Sequence, residues 1–320
     1  MWGGAIGLEI GALTTPLVRK GQGKIIYVDH ASTEELRQKY RDHETVAPGQ
    51  IVQVDAVWGD KTIQEALTDC GSVDYVLASH VIEHVPDLVT WLNELASVLN
   101  NDGTIRLAIP DLRYCFDYVR EPTRLTDIVT AFALRARRPQ PREIIDFILQ
   151  HRPVDLERAW RGELETSGIS PERLEHVLDL VRRSLAGEYI DVHCWTFTLS
   201  SFATIMARLN ELGLIGLACD GAFDTEVGEH EFFVILRVAE AAEAAQSWWK
   251  VANEASGPPS PEPETWSVAR IRWMKITGAG SNLEVDRLRR ELAAVYNSSS
   301  WKFSRPVRLF GRAMKAIRGK

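Results

Sequence analysis

The chain lacks any apolar run near the ~20 residues that a bilayer-spanning helix needs, and its first residues show neither a basic n-region nor an apolar h-region. A membrane-spanning or exported protein is not expected, and a cytoplasmic location is. Cysteine is scarce: Cys70, Cys115, Cys194 and Cys219 lie far apart with no C-x-x-C pair. That excludes a disulfide framework and leaves reduced, mostly buried thiols. The sequence contains no internal repeat and no G-x-G-x-x-G, so a nicotinamide dehydrogenase is a poor match. The net charge is −7, and a mildly acidic body argues against nucleic acid as a partner. What remains is ordinary for a globular chain, with 45% apolar and 25% charged residues.

Short apolar runs alternate with helical patterns over the first third of the chain. "AIGLEIG" and "KIIYVDH" read as strands, the second ending in Asp29, and "QIVQVDAVWGD" reads as a third strand ending near Asp55. "VDYVLAS" is a continuous apolar run suited to a central parallel strand. In "PDLVTWLNELASVLNNDG" the residues Leu88, Trp91, Leu92, Leu95 and Leu99 share one helical face, with Pro86 before it and Gly103 after it. "TIRLAIPD" is a fifth strand. The alternation predicts a doubly wound, mostly parallel α/β sheet. It stops over 112–190, an Arg-rich and largely helical insertion, and resumes with the helix "FTLSSFATIMARLNELGL" and two closing strands, the last antiparallel.

The main domain is therefore expected over 1–240 and a linker over 241–280, Pro-rich at 256–264. A helix and a basic tail are expected over 281–320. From Trp301 to Lys320 there are bases (Lys302, Arg305, Arg308, Arg312, Lys315, Arg318, Lys320) and no acid, with Val307, Phe310, Met314 and Ile317 on one helical face. That pattern suits an anionic membrane surface or an acidic partner, and equally a disordered tail.

Ligands of open parallel sheets bind at the carboxyl ends of the strands. Three signals fall there. The glycine turn of "GLEIGALTTPL" lets backbone approach a ligand, Asp29 can accept ribose hydroxyls, and Asp55 lies where an adenine edge would be.

These residues, with "VDYVLASHVIEHVPDLVTWLNELASVLNNDGTIRLAIPD" and "HCWTFTLSSFATIMARLNELGL", resemble class I S-adenosylmethionine-dependent methyltransferases over about 6–240. "IPDLRYCFDYVREPT" and "YNSSSWKFSRPVRLFGR" look like segments of methyltransferases associated with bacterial surface-polysaccharide glycosyltransferases. The resemblance implies a Rossmann-like sheet and S-adenosyl-L-methionine as cofactor. It implies Gly7, Glu9 and Gly11 at the methionine end, Asp29 on the ribose, Asp55 and Ala56 at the adenine, and Ser79 and His80 beside the sulfonium. The sequence departs from the pattern at Leu13, where the family's turn has a second glycine, and it lacks the helix that commonly precedes the first strand.

"SHVIEHVPD" also spells H-x-x-E-H, the ligand order of one class of zinc peptidase. That chemistry needs His80 and His84 on one face of a continuous helix. His80 directly follows a strand and Pro86 interrupts any such helix, so no metal site is expected. Methyl transfer to a hydroxyl needs positioning and removal of a proton. Candidate bases are His80, His84, Asp111 and His193. Arg113, Tyr114 and Asp117 are candidates for a substrate lip under a helical lid.

The expected function is O-methylation of a glycan or glycan precursor, with a nucleotide-sugar-derived acceptor. A glycosyltransferase partner or the inner face of the membrane would be met through 301–320. The alternative is a non-catalytic methyltransferase-like scaffold that recruits glycan-assembly enzymes.

Overall fold

The central sheet is built around β1 (Ile6–Ile10), whose residues are almost all buried. In the computed structural model the described residues are 4–255, apart from 43–45, 60, 68–70, 167 and 169–170. The expectations for Cys70, the Pro-rich 256–264, the helix after 281 and the tail 301–320 lie outside them.

From β1 the chain runs through β2 (Lys24–Asp29), α1 (Thr33–Lys39) and β3 (Ala56–Val57) on one side of the sheet. It then crosses through α2 (Ile63–Ala66) to β4 (Val73–Ser79) on the other side of β1. α3 (Leu88–Ser97) leads into β5 (Leu99–Pro110). The insertion carries α4 (Leu125–Ala133), α5 (Pro141–Gln150), α6 (Leu156–Trp160) and α7 (Pro171–Leu185). α8 (Leu199–Glu211), β6 (Leu217–Phe223), β7 (Glu231–Val238) and α9 (Ala241–Glu254) complete the described fold.

Sheet order is β3-β2-β1-β4-β5-β7-β6. The first five strands are parallel, and β7 inserts antiparallel between β5 and β6. This is the doubly wound, mostly parallel Rossmann-like methyltransferase sheet with its antiparallel closing strand. The winding reverses between β1 and β4, which leaves a crevice outside their carboxyl ends.

Burial follows the sequence pattern. Leu88, Val89, Trp91, Leu92 and Leu95 of α3 pack into the main core, and Asp87 caps the helix by accepting from the Thr90 amide at 3.0 Å. Asp87, one residue after Pro86, supplies the acceptor that proline cannot. At Gly7 a Cβ would collide with the ring of Tyr75, its register partner on β4. The missing side chain therefore makes room for an aromatic ring that lies under Arg106.

Two expectations about elements are corrected. The third strand shrinks to two residues, with Asp55 before it rather than at its end. The segment from 241, expected as linker, is the helix α9, whose Trp248 is fully buried and donates its indole N–H to the Leu217 carbonyl at 2.8 Å. A run of alanines hid its apolar face, because small side chains bury well without raising hydrophobicity. The insertion divides as well. Ile128 and Ala131 of α4 join the main core, while Ile144, Val177, Leu180, Ile190 and Val192 form a small core of their own.

Candidate active site

A cavity of about 990 Å³ opens at the carboxyl ends of β1, β2 and β4. Its first wall is the turn after β1. Gly11 stands at φ +69°, donates its N–H to the Val28 carbonyl at 3.0 Å, and would press a Cβ against Val81. Glycine is required there by both conformation and space. Leu13 also takes a positive φ, +42°, so the position that departs from the glycine pattern keeps the backbone a glycine would adopt. Its carbonyl accepts from the Val52 amide at 2.8 Å, which holds the turn in place.

Glu9 supports this turn from below. Its buried carboxylate accepts from the amides of Leu17 at 2.6 Å and Val18 at 3.1 Å. It does not line the cavity, because those two amides hold the carboxylate behind the turn. Gly7 lies deeper in the same strand against Tyr75 and does not reach it either.

Asp29 does line the cavity, at the end of β2, with its carboxylate on the His30 amide at 2.7 Å and the His30 ring at 2.6 Å. Asp55 instead turns back to Lys20 at 2.5 Å and the Tyr27 amide at 2.9 Å, and Ala56 pairs with Val28 inside the sheet. Neither lines the cavity. Trp58, just past β3, takes that wall, and its buried indole nitrogen has no hydrogen-bond partner among the described residues.

Past β4, Ser79 stays paired in the sheet while His80, at φ +53°, turns into the cavity wall. Its Nε2 is 2.6 Å from Glu231 at the start of β7. Burial lowers the His80 pKa, but the carboxylates of Glu231 and Glu83 outweigh it and leave the ring more basic than usual. His84 also lines the cavity, with Nδ1 2.9 Å from Asp191, which in turn pairs with Lys39 at 3.0 Å. Burial is again opposed, and His84 ends up more basic than a free imidazole. Asp191, despite burial, is held well below the usual carboxylate range by His84 and Lys39.

The remaining candidates sit off this cavity. His193 is buried behind His84, ring edge to ring face at 4.7 Å, with Nδ1 2.6 Å from Asp117. Asp117 is also paired with Arg120 at 2.9 Å. Asp111 is fully buried, bonded to the Arg113 guanidinium and to the Thr225 hydroxyl at 2.7 Å. Arg113 also reaches Asp224 at 2.9 Å, and Tyr114 stacks on Trp160 at 3.8 Å. The lip expected of Arg113, Tyr114 and Asp117 is instead the seam between the insertion and the sheet. None of the three lines the cavity.

Sequence reasoning missed Lys39, Tyr40, Trp58, Tyr189, Asp191 and Glu231. Only Trp58, beside a strand end, and Asp191, two residues from His193, stood near a recognisable signal. Two groups could each offer three ligand atoms within 4.8 Å of one another, namely His80, His230 and Glu231, and Glu83, His84 and His193.

Residues 5–107 match the family model of a methyltransferase domain. Over that segment the chain is similar to methyltransferase domains. Its cofactor is S-adenosyl-L-methionine. No curated protein matches the sequence. Solved structures similar to it include a putative zinc-dependent alcohol dehydrogenase from Rhodobacter sphaeroides, 14% identical over 73% of this chain and 84% of that one, with a TM-score of 0.40. The mitomycin 7-O-methyltransferase MmcR is 13% identical over 74% of this chain and 50% of that one, at 0.34. Magnesium protoporphyrin IX methyltransferase from Synechocystis PCC 6803 is 10% identical over 74% of each chain, at 0.32. Scores this low assign no activity, and the fold rests on the strand order above.

The residues present fit the cofactor. Gly11 keeps the turn beside Val81 free of a side chain, Asp29 lines the cavity with a buried carboxylate, and the Trp58 indole N–H has no partner among the described residues.

Proposed function

We propose that the chain transfers the methyl group of S-adenosylmethionine to a hydroxyl of a glycan or glycan precursor. The observation that carries this reading is the meeting of Asp29, the Gly11 turn and the Glu231-held His80 on one cavity wall. The cofactor supplies an electrophilic methyl on a sulfonium. Asp29 accepts ribose hydroxyls, Trp58 offers its ring and N–H to the base, and the Gly11 turn admits close backbone approach. Glu231 holds Nε2 of His80 and so fixes the ring that takes the acceptor's proton.

An acceptor hydroxyl is supported by that base, and a sugar by the mixed wall. Tyr189 offers an apolar face for C–H groups, and Lys39, Glu94, Arg135 and Arg137 offer polar partners for hydroxyls. A volume at the top of the ~300–1,000 Å³ range of ligand pockets suits two ligands held together.

Calorimetric titration and a methylation assay with nucleotide sugars and oligosaccharides, read by mass spectrometry, test this. Asp29→Ala should weaken S-adenosylmethionine binding ~10-fold or more, at about 1.4 kcal/mol per decade. Unchanged affinity removes Asp29 from the ribose. His80→Asn tolerates the positive φ and should cut turnover by ~10²–10⁴-fold with cofactor affinity kept. Full turnover in that variant dismisses His80 as the base. Failure of every hydroxyl acceptor while the cofactor binds sinks the glycan reading, and absence of cofactor binding leaves the scaffold.

A further inference from the structure

Glu83, in the H-x-x-E-H run, does not line the cavity. It is 1% exposed, and neither carboxylate oxygen has a hydrogen-bond partner among the described residues. A buried carboxylate in that state costs several kcal/mol unless something compensates it. The nearest cationic candidates are the imidazoles of His80, with Nδ1 at 3.7 Å, and His193, with Nε2 at 4.0 Å.

His84 and His193, each able to bring a ring nitrogen within 4.8 Å of Glu83, are both oriented by carboxylates. Asp191 holds Nδ1 of His84, and Asp117 holds Nδ1 of His193. Each imidazole thus keeps Nε2 for another partner. A carboxylate on the far nitrogen is the arrangement that fixes tautomer and direction in metal-binding histidines. Asp191 is itself balanced by Lys39, and Asp117 by Arg120. Glu83 has no such hydrogen-bonded partner among the described residues, and the His80 and His193 rings stand 3.7 and 4.0 Å away.

We propose that Glu83, His84 and His193 bind a divalent transition-metal cation of the zinc class. Two imidazoles and one carboxylate are a borderline-soft donor set, and three protein ligands leave an open coordination position. The ligand atoms lie within 4.8 Å of one another, against ~3.4 Å for neighbours around a tetrahedral ion with ~2.1 Å bonds, so Glu83, which no hydrogen bond holds, is the ligand that would move in. His84 belongs to the cavity wall, so the open position faces the ligands held there. The ion would also clamp the turn after β4 to the strand of chain returning from the insertion, where the Cys194 amide already donates to the Glu83 carbonyl at 2.6 Å. This site uses His84 where a peptidase would, but its second histidine is His193 rather than His80, which Glu231 holds.

The test uses the untagged full chain, freed of metal by chelator. Titration with Zn²⁺ should give one tight equivalent and a rise in melting temperature, and Co²⁺ should give visible ligand-field absorption. Glu83→Gln should weaken Zn²⁺ at least ~100-fold and abolish the cobalt spectrum, and Asp117→Asn should weaken it ~10-fold through His193. Glu83→Gln should melt no lower than the wild type without metal, since it replaces a buried carboxylate that has no hydrogen-bond partner among the described residues, so lost binding is separable from lost folding. Folded wild-type protein that takes up no zinc overturns the proposal. Uptake that survives Glu83→Gln, or that is lost in His230→Ala instead, overturns it too, by placing the ion elsewhere.

Discussion

At the scale of single residues, backbone conformation explains what composition does not. Leu13 holds φ +42° at the mouth of the cavity, a region that costs a residue with a Cβ ~1 kcal/mol or more. Ordinarily alanine is more stable than glycine by roughly 0.5–1 kcal/mol. At position 13 the order should reverse: Leu13→Gly should be more stable than Leu13→Ala by about 1 kcal/mol in urea unfolding. The ordinary order would show that the turn relaxes in solution. Asp29, Gly11, His80 and His84 stand on the cavity wall, and their sequence signal was nearness to strand ends. Nearness does not say which way a side chain faces. Glu9 and Gly11 are two residues apart, yet Glu9 braces the loop from within while Gly11 makes the wall.

At the scale of elements, the sheet decides which glycines matter and why. Gly7 was expected at the methionine end on its motif position, but its register with Tyr75 gives it a packing role. Gly7→Ala should cost ~1–3 kcal/mol as an overpacked strand contact. Adding Tyr75→Leu should recover much of that loss, a coupling that a double-mutant cycle measures. Additive losses would leave the cofactor explanation standing. The same logic separates Asp55 from Trp58. A strand of only two residues ends past Asp55, so the acid points back to Lys20 and Tyr27, and the tryptophan takes the wall. The helix α9 was illegible for a related reason: its buried face is mostly alanine, and what identifies it is Trp248 finding the carbonyl of Leu217.

At the scale of the molecule, the insertion is unevenly attached. α4 shares the main core, but α5 and α7 meet over a small cluster of their own. Elements with few buried apolar contacts open at lower free energy. Hydrogen exchange should therefore be faster across 141–185 than in 88–97 and 199–211, with mass spectrometry resolving the segments. Equal protection would mean that all of them unfold as one unit. Among the described residues no helix is long and apolar enough to cross a membrane, and the buried thiols Cys115 and Cys194 are pushed far above their ordinary pKa by burial, leaving them unreactive. Hydrophobic periodicity by itself determined the alternating elements, the parallel sheet and the edge where ligands bind, because strand and helix periods are local and burial enforces them. Only the tertiary structure decided which side chains meet there. His84 finds Asp191, His80 finds Glu231 and Glu83 finds His193 across 107, 151 and 110 residues of chain. Those pairings depend on how the insertion and β7 return to the sheet, a non-local packing outcome that no stretch of sequence contains.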